Sequence, residues 1–154
     1  MDWSASPFKK VDPCTPTKIP SMEIPTLLEF DKIGTPNLGY ISVAEVGEQV
    51  PFDIKRVYWT YFTPNHVQRG QHAHRQLRQL IFSVAGIIHF KLEHATGATF
   101  DFVLDEPHKG LLVPPGYWRD MRFSHNAVLL CLASMPYDET DYIRDYKAFK
   151  ASSL

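Results

Sequence analysis

The sequence predicts an all-β fold, a barrel or sandwich of antiparallel strands, and three observations carry that expectation. Apolar and aromatic residues gather in short, strand-length runs bounded by Gly, Pro, Asn or Asp. No long stretch keeps the roughly 3.6-residue apolar period of a helix. Aromatic residues make up 13% of the chain, with 10 Phe, 7 Tyr and 3 Trp, a composition that favours strands around an aromatic-lined interior.

In order, the expected strands are "TLLEF" from Thr26, "YISVAEV" from Tyr40, "IKRVYWTYF" from Ile54, "QLIFSVAG" from Gln79 and "IIHFKLE" from Ile87. They continue with "TFDFVLD" from Thr99, "GLLVP" from Gly110, "WRDMRFS" from Trp118 and "AVLLCLASM" from Ala127. Each is rich in β-branched and aromatic residues, and turn residues separate it from the next. Only the tail "ETDYIRDYKAFKASS", from Glu139, offers a short C-terminal helix. The first 36 residues are different: they hold Pro7, Pro13, Pro16, Pro20, Pro25 and Pro36, six of the 12 prolines. Proline fixes φ and removes an amide donor, so this stretch suits neither a regular helix nor a central strand. Residues 1–24 are expected to form an extended arm, ordered only against the domain or a partner subunit, and residues 25–154 a single domain.

At 154 residues the chain can bury about two-thirds of its unfolded surface in one core. A formal net charge of −1 points to neither nucleic acid nor an anionic membrane as a generic partner, although a few arginines suffice for a phosphorylated small molecule. The N-terminus has no apolar leader core and no stretch approaches a membrane span, so a soluble cytoplasmic protein is expected. Cys14 and Cys131 form no C-x-x-C pair; Cys131, inside "AVLLCLAS", reads as a small buried hydrophobe in a reducing compartment.

The chemistry gathers in "RGQHAHRQLRQLIFSVAG", Arg69 to Gly86. In an extended strand residues two apart share a face, so His72 and His74 project together and Ala73 turns away. The pattern His72, His74, Gln79, Gly86 resembles the first motif of the cupins, H-x-H followed by Glu and Gly. "PPGYWR", Pro114 to Arg119, is similar to their second motif, P-x-G-x-x-H. The resemblance implies a cupin jelly roll. Metal-binding cupins use both histidines, the Glu and the final His, whereas here Gln79 and Arg119 stand in the last two places. An amide oxygen is a poor substitute for a carboxylate, and a guanidinium repels a divalent cation. No catalytic metal and no cofactor are therefore expected.

Alternation puts Arg56 and Tyr58 together on one face of "KRVYW", and puts Arg119 with Met121 and Phe123, pointing inward. A buried arginine costs several kcal/mol, on the order of a lone buried charge, unless an anion or acceptor answers it.

Four segments, "PFDIKRVYW", "RGQHAHRQLRQLI", "GLLVPPGYWRDM" and "LASMPYDETDYIRDY", resemble a narrower group, the WxcM-like sugar 3,4-ketoisomerases acting on dTDP-4-keto-6-deoxyglucose. The resemblance covers residues 40–150 and implies conversion of the 4-keto to the 3-keto sugar. In that group an aminotransferase then makes a 3-amino sugar for O-antigen, S-layer glycan or antibiotic pathways. It also implies a homodimer that exchanges N-terminal strands. Such an isomerisation needs acid–base catalysis, for which imidazole is suited. By resemblance, His74 takes the carbon 3 proton and His72 carries a proton between the oxygens, although the reverse division stays open. Tyr58, Gln79 and Arg69 are candidates to hold the enediolate, Arg56, Arg119 and Arg122 the pyrophosphate, and Trp118 the thymine. Tyr137, Asp138 and Tyr142 are expected to serve packing and the dimer, and the remaining histidines to be solvated or satisfied. Leu38 stands where relatives carry an arginine, which leaves the carbon 4 configuration of the product open. The rival readings are a nucleotide-sugar epimerase of the same fold and a non-catalytic sugar-nucleotide binding protein.

Overall fold

The computed structural model describes residues 23–152, so the arm expected over residues 1–24 lies almost wholly outside the described residues. The strands are β1 (Thr26–Glu29), β2 (Ile33–Thr35), β3 (Gly39–Ile41), β4 (Arg56–Thr60), β5 (Gln68–His74) and β6 (Gln79–Ala85). They continue with β7 (Ile88–His94), β8 (Thr99–Leu104), β9 (Lys109–Val113), β10 (Tyr117–Phe123), β11 (Val128–Ala133) and β12 (Tyr142–Ile143). A single 3₁₀ turn (Glu139–Asp141) precedes β12, and a short helix, α1 (Tyr146–Lys150), closes the described chain.

Ten of these strands form two five-stranded antiparallel sheets, β1-β9-β6-β11-β4 and β12-β5-β10-β7-β8. Alternate residues of both sheets meet in one core: Ile81, Leu111, Leu129 and Cys131 from the first, Ile88, Phe90, Leu92 and Phe123 from the second. Fully burying side chains of this size is worth about 1.5–3 kcal/mol each, which is what holds a polar floor between the sheets. Gly86 joins β6 to β7 at φ 70°, and a Cβ there would lie 2.6 Å from the Ala127 Cα, so the turn requires glycine. The outer face of the second sheet is covered by α1: Phe149 packs with Ala73, Trp118 and Ile143.

The all-β jelly-roll expectation and the C-terminal helix hold. One run differs. Of "YISVAEV" only the first two residues are strand, the end of β3 (Gly39–Ile41) paired with β2, and Val46 makes an isolated bridge to Val50. A strand needs a partner ladder, and the described residues supply one of only three residues there. Cys131 is buried, as expected; Cys14 lies outside the described residues.

Candidate active site

β5 carries His72 and His74 toward the space between the sheets, with Ala73 turned outward into the α1 cluster. The two imidazoles stand edge to face with ring centroids 5.0 Å apart. β12 pairs with β5 and sets Tyr142 beside both, 5.0 Å from His72 and 4.3 Å from His74. His72 is half-buried, whereas His74 is 1% exposed and lies deeper.

Each imidazole has its Nδ1 proton assigned by an acceptor that cannot donate. His72 Nδ1–H donates to the Gly70 carbonyl at 2.8 Å. His74 Nδ1–H donates to the Asp141 carboxylate at 2.9 Å, and that carboxylate also accepts from the amides of Gln76 at 2.7 Å and Leu77 at 3.4 Å. Burial first, then the Arg119 guanidinium, holds His72 down to about 4, and the same two causes in the same order push His74 down as well. Both rings are therefore neutral near pH 7, with the Nε2 lone pair available.

The floor beside them is an arginine and an amide. Arg119 on β10 sits directly opposite His72 in register and is 2% exposed. Its Nη1 donates to Gln79 Oε1, and Gln79 Nε2 donates in turn to Tyr58 Oη at 2.7 Å and lies 3.4 Å from Cys131 Sγ. Among the described residues Arg119 Nε and Nη2 have no hydrogen-bond partner, and neither has Arg56 Nε nearby. Burial raises Tyr58 well above the usual phenol range, with the neighbouring Cys131 adding to the rise, so it remains a phenol; burial likewise makes Cys131 a thiol, pushed up to about 11. Gln79 has both ends of its amide engaged, and the group opposite His72 is a guanidinium. That donor set does not fit a divalent cation. Orphaned donors of a buried cation fit an oxygen that carries negative charge.

Above the floor opens a cavity of about 410 Å³. Its walls are Arg56, Tyr58 and Thr60 of β4, Arg69, Gly70 and His72 of β5, Met121 of β10, and Tyr137, Tyr142 and Arg144 of the C-terminal segment. At the rim, Arg144 stacks over Tyr142 at 4.3 Å and donates to Glu139 twice, at 2.6 and 2.9 Å. Arg56 lies over both Tyr58 and Tyr137 at 5.4 and 5.6 Å.

The structure thus brings together seven of the nine expected site residues: Arg56, Tyr58, Arg69 and His72 line the cavity, and His74, Gln79 and Arg119 lie buried behind them. It corrects the other two. Trp118, expected to stack on a base, points the opposite way from its neighbour Arg119 and packs against Phe149 at 5.6 Å. Arg122 is exposed on the outer face of the same sheet, lining a separate groove with His89, Lys91 and Asp101. Both corrections follow from the two-residue repeat, which cannot put Trp118 or Arg122 on the face of Arg119. Tyr137 and Tyr142, expected to serve packing and the dimer, both line the cavity, and Asp138 caps the 3₁₀ turn through Thr140. Asp141 and Arg144 had not been singled out; the polar and aromatic run "YDETDYIRDY" was their signal. Of the other histidines, His94 is buried and bonded to Thr96, and His108 is buried between Glu29 and Glu106.

Among the described residues no helix is long and apolar enough to cross a membrane. Residues 23–153 match the family model FdtA: WxcM-like, C-terminal. The chain is 38% identical over 125 residues to the TDP-4-oxo-6-deoxy-alpha-D-glucose-3,4-oxoisomerase of Aneurinibacillus thermoaerophilus, covering 80% of this chain and 88% of that one. Among solved structures it is similar to a 3,4-ketoisomerase from Helicobacter canadensis, with 36% identity and a TM-score of 0.77 over 82% of this chain and 94% of that one. It is also similar to the sugar 3,4-ketoisomerase QdtA from Thermoanaerobacterium thermosaccharolyticum in complex with TDP, with 34% identity and a TM-score of 0.79 over 84% and 94%.

Proposed function

This chain belongs to the FdtA family of WxcM-like proteins, and from that premise we propose that it is a sugar 3,4-ketoisomerase acting on dTDP-4-keto-6-deoxyglucose. The observation that carries the reading is the juxtaposition of two neutral imidazoles, each with Nε2 unprotonated, and a buried arginine with two unanswered donors.

The reaction moves a carbonyl from carbon 4 to carbon 3. His74 Nε2 takes the carbon 3 proton, and the electron pair left behind forms the carbon 3–carbon 4 double bond while the carbonyl electrons settle on oxygen 4. Asp141 stabilises the imidazolium that forms, through the Nδ1–H bond already in place. In this reading Arg119 Nε and Nη2 supply the donors for the developing oxyanion from one layer behind His72 and Tyr58 of the cavity wall. His72 Nε2 accepts the hydroxyl proton from oxygen 3 and returns it to oxygen 4. The carbonyl then forms at carbon 3 as His74 delivers its proton to carbon 4, and both rings end as they began. Gln79 fixes Arg119 against Tyr58, so its part is to orient the guanidinium.

The pyrophosphate is assigned to the mouth, where Arg56 and Arg69 line the cavity and Arg144 joins them; Arg119 lies too deep for it and Arg122 on the wrong face. The dimer with exchanged N-terminal strands belongs to the same reading. It is supported by the β2–β3 hairpin, which exposes Ile33, Leu38 and Ile41, and by β4, an edge strand with Val57 and Trp59 exposed. A cytoplasmic location and a place before amination in 3-amino-sugar synthesis are parts of the proposal as well.

The test is proton NMR of dTDP-4-keto-6-deoxyglucose incubated with the protein. The 3-keto isomer should accumulate. A ketone that stays at carbon 4 while carbon 3 or 5 epimerises, or tight binding of TDP with no turnover, would replace this reading with one of its rivals.

A further inference from the structure

Strict alternation along β5 would leave Arg69 on the face opposite His72, yet the two line one cavity. The cause is a bulge. Arg119 pairs with His72 and Asp120 with Gly70, so Gln71 has no partner on β10, and the register shifts there. Both bulge residues have left-handed backbone: Gly70 at φ 96° and Gln71 at φ 54°. A non-glycine residue rarely adopts this conformation, and it is strained for one with a branched β-carbon. Gly70 has no room for a side chain either, since a Cβ would lie 2.5 Å from the Arg119 carbonyl oxygen.

We propose that the Gly70–Gln71 bulge is a positioning element for His72. By turning the Gly70 carbonyl back under the ring it fixes the proton on Nδ1, and by adding one residue it brings Arg69 onto the histidine face. A regular strand would direct the carbonyl of residue 70 into the ladder with β10 and leave the His72 tautomer unassigned. The inference rests on the ketoisomerase reading only for its consequence, since an unprotonated Nε2 is what lets His72 begin by accepting the sugar's hydroxyl proton. Gln71 and Gly70 touch no reacting atom and act through His72.

The experiment is nitrogen-15 NMR of the histidine-labelled, full-length protein without substrate, on wild type, Gly70→Ala and Gln71→Val. In wild type both His72 and His74 should show the Nδ1–H tautomer. In Gln71→Val, a change at an exposed position that disfavours the bulge without a clash, His72 should move toward the Nε2–H form or a mixture while His74 stays unchanged. Gly70→Ala should do the same, and the Gln71 variant serves if the alanine protein fails to fold. With the keto sugar, the variants should lose about 10-fold or more in kcat with KM changed by less than about 3-fold, the pattern of a misplaced acid–base group. Wild-type His72 protonated on Nε2, or an unchanged His72 tautomer in folded Gln71→Val, would overturn the proposal. Wild-type protein that shows the Nδ1–H form but turns over no keto sugar would overturn the ketoisomerase reading and leave the bulge's role standing.

Discussion

The floor and the rim of the cavity each present an arginine, and the two arginines live under opposite conditions. Arg144 at the rim is exposed, stacks on Tyr142, and gives Nε–H and one Nη2–H to the two oxygens of Glu139, its other donors facing the solvent side. Arg119 at the floor is buried, is held by one amide oxygen, and has two donors without a partner among the described residues. A surface pair of the first kind contributes little, about 0–1 kcal/mol in general, because water competes for both partners. A buried cation of the second kind is a cost to the folded chain that a ligand's oxygen would remove. On the proposed reading the difference sorts the two: the paired arginine serves the entrance and the pyrophosphate, and the buried one serves the reaction.

Several substitutions break or sharpen that contrast. The largest effect is expected from His74→Asn, which keeps a polar group beside Asp141 and removes the base. Turnover should fall by about 10²–10⁴-fold while TDP binding persists, measured by NMR assay and calorimetry. Arg119→Met should cost about 10²–10³-fold in kcat. The melting temperature should stay level, because removing a buried charge with unmet donors offsets the orphaned Gln79 Oε1. Lost activity together with lost stability would make Arg119 a structural strut. Asp141→Asn should lower kcat by roughly 10²-fold with KM held, since the Nδ1–H of His74 loses its carboxylate.

A pH series gives a smaller signal with a definite sign. His72 titrates near 4 in the folded protein against about 6.5 in the unfolded chain, and His74 is shifted the same way. As pH falls below about 6.5 the unfolded state takes up protons first, so stability present above that value drains away toward pH 4. Over the upper part of that window kcat/KM of the folded enzyme should hardly change, less than about 2-fold between pH 7 and 6. An acid limb at the ordinary imidazole value would contradict the burial of the pair. The smallest effect belongs to the rim: Glu139→Gln should alter KM by less than about 3-fold and leave kcat alone. A large loss of kcat there would erase the distinction between the two arginines.

Much of the floor was legible in the sequence because β-strands alternate. His72 with His74, Arg56 with Tyr58, and an inward Arg119 all follow from counting by two, and Gln79 from the resemblance to the first cupin motif. The same count, applied with Arg119 inward, already excludes Trp118 and Arg122; assigning them to the nucleotide set aside the rule that had placed Arg119. Two features lay beyond that rule. The bulge at Gln71 breaks the count and brings Arg69 in, and a bulge is fixed by its partner strand, not by its own run of residues. Asp141, Tyr142 and Arg144 reach the site because a two-residue strand pairs with β5 from far along the chain. So short a strand has no periodicity to read. The β2–β3 region was overread for a related reason: its residues favour strand, but the described chain gives them almost nothing to pair with.

The most direct test of the central claim is a crystal structure of His74→Asn with dTDP-4-keto-6-deoxyglucose bound. The account predicts the hexose inside the cavity, its oxygen 4 within hydrogen-bonding distance of Arg119 Nε or Nη2, and carbon 3 over the side chain at position 74. A sugar held only at the rim by Arg56, Arg69 and Arg144, with the Arg119 donors still unanswered, would contradict it.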